Sequence, residues 1–167
     1  MIKLALTGFF CLLSMITFAQ RDNAQRYDSK ITFELKIDDK NPHSLFVGCK
    51  EGECDIYWND QLLASEHTFD AAVDFIRPIK NEDYPNLFLI PIYHGDGCPS
   101  MYKILQIPDK KTSWLSDTFG NCNEAVYSTK KKLMTFSFEG LNEPDMPVRP
   151  ELSYTYNLKK GELIKVK

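Results

Sequence analysis

The chain has 167 residues, 43% of them hydrophobic and 13% aromatic, a length and composition that suit one packed domain. Its 20 basic and 23 acidic side chains leave a net charge of −3, which argues against nucleic acid as a partner. No Gly-x-Ser-x-Gly elbow, His-Glu-x-x-His pair or phosphate-cradling glycine loop occurs, so the sequence signals no cofactor and no common hydrolase chemistry.

Residues 1–19 read as a cleavable export signal. Lys3 supplies the charged start, Leu4 to Ala19 an apolar run too short to span a bilayer, and Ala19 the small residue before the cut. Loss of Lys3 with the signal leaves 19 basic against 23 acidic side chains, a net charge of −4. Cys11 departs too, and Cys49, Cys54, Cys98 and Cys122 remain. An even number in an exported chain reads as disulfides, and of the three possible pairings the sequence favours Cys49 with Cys54 and Cys98 with Cys122. The first pair flanks Lys50-Glu51-Gly52-Glu53, a turn that sets two strand ends face to face. The second closes a loop of about 25 residues, worth roughly 3 kcal/mol by the chain-entropy argument. An oxidising destination and loose cysteine spacing disfavour zinc, so no metal is expected. Residues 20–29 are polar and aperiodic and read as a flexible lead, which leaves 30–167 as a single β domain with no membrane span in the mature chain.

From Lys30 onward apolar and polar residues alternate with a period of two between turn residues, the pattern of an all-β domain. In Lys30 to Ile37 the side chains of Ile31, Phe33, Leu35 and Ile37 share one face, and Asp38 to Pro42 stops the strand. Ser44 to Cys49 and Asp55 to Trp58 form a hairpin across the first disulfide, and Asn59-Asp60 turns the chain into Leu62 to Ser65. Residues 68–76 fit two patterns. Phe69, Ala72, Val73 and Ile76 stand at helical spacing behind Thr68 as a cap, yet Val73 and Phe75 also alternate around Asp74, so a short helix and a strand both remain open. Leu87 to Tyr93 is a nearly continuous apolar run that suits a central strand, with Pro91 pointing to an edge or a bulge. Met101 to Ile107, Thr112 to Leu115, Ala125 to Ser128, Leu133 to Phe138, Leu152 to Asn157 and Leu163 to Val166 complete the strands. Sequential pairing is the simplest topology for such spacing, which predicts an antiparallel meander forming a disulfide-stapled sandwich or open barrel.

Gly95-Asp96-Gly97-Cys98-Pro99-Ser100-Met101-Tyr102 is followed by Phe119-Gly120-Asn121-Cys122. This arrangement resembles a group of small exported bacterial proteins of unknown function. In them a glycine-rich turn, Cys-Pro, a small residue, an apolar residue and an aromatic open one strand, and Phe-Gly-x-Cys closes the next. The resemblance spans about 40 residues, Leu87 to Tyr127, and the stretch before Leu87 departs from the pattern. It implies a β-rich fold with Cys98 bonded to Cys122, and it implies no activity.

Acid–base chemistry needs a titrating group and an orienting partner in one cleft. His94 and Asp96, on the turn beside Cys98, are the compact local pair, with His67 and Asp70 a second; both also fit solvated turns, and His43 is the remaining histidine. Asp38, Asp39 and Asn41 lie close together without the spacing or terminal glutamate of a calcium loop. Aromatic side chains offer another route to function, by stacking on sugars or anchoring a protein. Alternation sends most of them into the core, and Tyr154 and Tyr156, on one face of one strand, are the best surface pair. Lys130 to Lys132 reads as a solvated hairpin tip. Together these features predict an exported, non-catalytic binding protein of the periplasm or extracellular space, of inhibitor or toxin-immunity type, with another protein as partner. The alternatives are an envelope polysaccharide-binding module and a hydrolase with a site near His94.

Overall fold

The computed structural model describes residues 26–37, 42–68, 71–92, 101–140, 148 and 150–166. The candidate export signal, Asp38 and Asp39, Asp70, His94, Asp96 and Cys98 lie outside the described residues.

The period-two alternation builds three four-stranded antiparallel sheets, each a meander in chain order. The first holds β1 (Ser29–Leu35), β2 (His43–Lys50), β3 (Glu53–Trp58) and β4 (Gln61–His67). The second holds β5 (Arg77–Pro78), β6 (Leu87–Ile92), β7 (Met101–Gln106) and β8 (Trp114–Leu115). The third holds β9 (Val126–Lys130), β10 (Leu133–Phe138), β11 (Leu152–Asn157) and β12 (Glu162–Lys165). The expected all-β class and sequential pairing are thus observed.

Turn chemistry sets the register of the first sheet. Glu51-Gly52 (φ 51° and 82°) and Asn59-Asp60 (φ 49° and 60°) are two-residue turns whose left-handed residues match the right-handed twist of the flanking strands. The first places Cys49 opposite Cys54. The carbonyl of Cys49 accepts the Asp28 N–H at 3.0 Å and so points away from β3, which makes 49/54 the closely spaced, non-hydrogen-bonded kind of cross-strand pair. With Cα atoms 4.1 Å apart the two sulfurs are bonded, as expected. Cys122 is also disulfide-bonded. Because Cys49 and Cys54 hold each other, its partner lies outside the described residues.

The apolar run of β6 explains how the sheets stack. Leu87 and Leu89 join Met134, Phe136, Phe138 and Tyr156 of the third sheet in one core, whereas Phe88, Ile90 and Ile92 join Leu45, Val47, Ile56 and Trp58 of the first sheet in another. A strand that is apolar on both faces needs cover on both, so the second sheet lies between the other two and the sandwich has three layers. Each fully buried Leu, Ile or Phe contributes about 1.5–3 kcal/mol. A half-buried ion pair between Lys103 of β7 and Glu66 of β4 ties the first two layers together at their margin.

Pro91 fits inside this strand because β6 is locally an edge. Its partner on β7, Tyr102, exchanges both of its main-chain hydrogen bonds with Phe119 on the far side, so Pro91 is in a non-hydrogen-bonded pair. Its missing donor faces the β5 side, where the ladder ends at Arg77 opposite Leu89.

Between β4 and β5 the chain forms a single helical turn, α1 (Ala72–Phe75), which settles the helix-or-strand question for those four residues. Thr68 is not its cap. The cap position is Ala71, which makes no side-chain bond, and the Ala72 N–H is taken by the Ser29 hydroxyl at 3.2 Å. Ala72, Phe75 and Ile76 are buried and Val73 is exposed, so the turn packs one edge onto the first core. Among the described residues no helix is long and apolar enough to cross a membrane.

Candidate binding site

The outer face of the first sheet is built around a missing side chain. Gly48 of β2 faces outward between Lys30 of β1 and Asp55 of β3, and the ring of Tyr27 fills the space it leaves. Tyr27 belongs to the stretch that reads as a flexible lead; in the structure it is 9% exposed, a correction whose cause is this close approach of ring to glycine backbone. From there its hydroxyl donates to Asp55 Oδ2 at 2.6 Å and lies 3.1 Å from the Tyr57 hydroxyl. The Arg26 guanidinium reaches the same carboxylate oxygen at 3.3 Å and sits 5.1 Å from the centre of the Tyr27 ring. Asp55 is therefore only 7% exposed although it lies on the outer face, and its charge is compensated by Arg26 and two phenols. Burial first, and the hydrogen bond to Asp55 second, push the Tyr27 phenol well above its ordinary range, so it remains a proton donor.

Next to this pinned ring stand two more. Phe46 lies 5.8 Å from Tyr27 and 6.2 Å from Tyr57, so three aromatic rings form a row across β2 and β3 on the side away from the core. An open concavity of about 700 Å³ adjoins the row. Phe46 and Tyr57 give it an aromatic wall; Thr32, Ser44 and His43 supply hydroxyl and imidazole groups; Lys30, Asn59 and Asp60 edge it with an ammonium, an amide and a carboxylate. Chemically this is a place to stack a flat or ring-shaped ligand and to satisfy several hydroxyls around it.

No protein-family model, curated protein or solved structure matches this chain.

The residues singled out from the sequence fall elsewhere. Tyr154 and Tyr156 do share a face of β11, but it is the core face, which corrects the expectation of a surface pair. Tyr156 is fully buried, and Tyr154 packs 5.3 Å from Phe119 and 6.0 Å from Phe138. Their cross-strand partners on β10 are Met134 and Phe136, which put that face inward. The Tyr156 hydroxyl has no hydrogen-bond partner among the described residues, and burial raises its pKa above the phenol range. His94 and Asp96, and the hydrolase reading attached to them, lie outside the described residues. His67 ends β4 and is exposed, whereas His43 begins β2 and lines the concavity. Among the described residues no group of three or more His, Cys, Asp and Glu converges to hold a metal ion.

Proposed function

We propose that the chain is an exported, non-catalytic binding protein that holds a saccharide of the cell envelope on the outer face of its first sheet. The observation that carries this reading is the outward row of rings, Phe46 and Tyr57 above all, beside a concavity edged by hydroxyl, imidazole, amide and carboxylate groups. A sugar ring offers an apolar C–H face and a rim of hydroxyls, and such a wall and such an edge complement both. Tyr27, seated on Gly48 and bonded to Asp55, holds the wall in place before any ligand arrives, which lowers the ordering cost of binding. The Cys49–Cys54 bond suits an oxidising compartment. Within the same proposal, Cys122 pairs with Cys98, as the resemblance to the small exported bacterial group implies.

A protein partner of inhibitor or immunity type would call for a broad surface of about 800 Å² per side. The concavity, at about 700 Å³, lies within the roughly 300–1,000 Å³ of small-ligand sites, so the geometry favours the saccharide reading. A glycan array probed with the mature chain and with Phe46→Ala and Thr32→Arg tests it. The intact chain should bind a restricted set of envelope oligosaccharides. Phe46→Ala should weaken that binding by about tenfold, the worth of one aromatic contact, and Thr32→Arg, at an exposed position, should block it. Failure to bind any oligosaccharide, or binding that both variants retain in full, would refute the proposal.

A further inference from the structure

The lysine run of the β9–β10 hairpin does not stand alone at its end of the molecule. The Leu158 N–H donates to the Lys132 carbonyl at 3.0 Å, which sets the 158–161 turn of the β11–β12 hairpin beside residues 131–132. Gln106 Nε2 donates to the Leu158 carbonyl at 2.9 Å, and the Trp114 ring lies against Gly161, so the connection from β7 to β8 joins them. Three hairpin ends thus bring together Lys110 and Lys111, Lys130 to Lys132, and Lys159 and Lys160, all exposed, in a chain whose overall balance is acidic.

The turns that carry them are closed by their own hydrogen bonds. Asp109 accepts the Lys111 and Thr112 N–H groups, and Asn157 accepts those of Lys159, Lys160 and Gly161 through its side chain and carbonyl. Carboxylates stand among them: Asp109 in the first turn, Glu162 at 3.8 Å from Lys160 Nζ, and Asp83 near Lys132. The neighbouring Lys159, through a side-chain hydrogen bond first and its like charge second, holds the Lys132 pKa below the ordinary lysine value.

We infer that this lysine-crowned end docks on an anionic bilayer surface. Charge complementarity decides the kind of occupant and shape decides its form. The cations sit on and beside the exposed turns of three adjoining hairpin ends, and an array spread over separate turns meets a broad field of headgroups better than it wraps a single strand. Half-buried Trp114, on the same end, is the residue type that favours the headgroup level of a membrane. The site is on the second and third sheets and does not depend on the saccharide reading of the first.

The test is sedimentation of the mature chain with phosphatidylcholine vesicles, with and without about 30% phosphatidylglycerol, at low and high salt. The anionic vesicles should carry the protein down at low salt and release it at high salt, and the neutral vesicles should not bind it. Changing Lys131, Lys132, Lys159 and Lys160 to Gln should weaken binding by roughly fivefold per lysine, several hundredfold in all. Should that variant fail to fold, as judged by circular dichroism, the pair Lys159→Gln and Lys160→Gln should still show a roughly 25-fold loss. Equal binding to both vesicle types, insensitivity to salt, or unchanged affinity of the folded variant would overturn the inference. So would binding to a soluble anionic polysaccharide such as polygalacturonate without binding to vesicles.

Discussion

Gly48→Ala puts the foundation of the proposed recognition face under direct strain. A methyl group at position 48 would stand 2.4 Å from Cγ and Cδ2 of Tyr27, so the ring must leave its seat. Tyr27 is 9% exposed, and uncovering roughly 150 Å² of it at about 25 cal/mol per Å² costs about 4 kcal/mol. Losing its hydrogen bond to the Asp55 carboxylate adds about 1.5–3 kcal/mol. Replacing glycine within a strand returns up to about 1 kcal/mol, and partial repacking of the ring returns more, so the net loss should be about 3–4 kcal/mol. Urea denaturation, followed by circular dichroism, measures it. The decisive comparison is the same substitution in a Tyr27→Ala background, where the methyl meets empty space and should be neutral or slightly stabilising. A loss below about 0.5 kcal/mol in the wild-type background, or the same loss in both backgrounds, would refute the ring-on-glycine reasoning.

Three further outcomes are expected. Tyr156→Phe removes a buried hydroxyl that has no partner among the described residues, so unfolding should become harder by up to about 1–2 kcal/mol, where a Tyr in a working network would show a loss. Both Tyr27 and Tyr156 have phenol pKa values raised by burial, so the folded chain keeps protons that the unfolded chain releases near pH 10. Stability should therefore be intact below about pH 10 and fall as pH rises above it, and a urea midpoint that stays level or rises into that range would contradict the assignment. Replacing Cys49 and Cys54 together by Ala should cost about 2 kcal/mol, because the bond closes a loop with a sequence separation of only 5, while far-ultraviolet circular dichroism remains that of the same β fold.

The strands were legible because alternation reports a half-buried surface directly: Ile31, Phe33 and Leu35 face inward and Thr32 and Glu34 outward, as their spacing requires. The run Leu87 to Ile92 was legible as central for the complementary reason, since a strand apolar on both faces can only be covered on both. What alternation cannot say is which face of a strand is which. Tyr154 and Tyr156 share a face by period alone, and only the register that sets them opposite Phe136 and Met134 turns that face inward. Tyr27 was hidden because its partner is an absence, a glycine 21 residues along the chain. Two signals pointed to it: a glycine inside an otherwise good strand, and Asp55 set between buried Cys54 and Ile56. The lysine crown was hidden for a related reason. Lys159 and Lys160 meet Lys130 to Lys132 through the hydrogen bond from Leu158 to Lys132, a contact between two hairpin turns that leaves no trace in local pattern.

Chemical-shift mapping of the isotopically labelled protein during titration with envelope oligosaccharides tests the proposed recognition face most directly. Amide shifts should concentrate at Thr32, Ser44, Phe46, Tyr57 and Asn59, saturating together with a single dissociation constant, while the third sheet stays unchanged. Saturable shifts that cluster on any other surface, or spectra unmoved by every oligosaccharide, would contradict it.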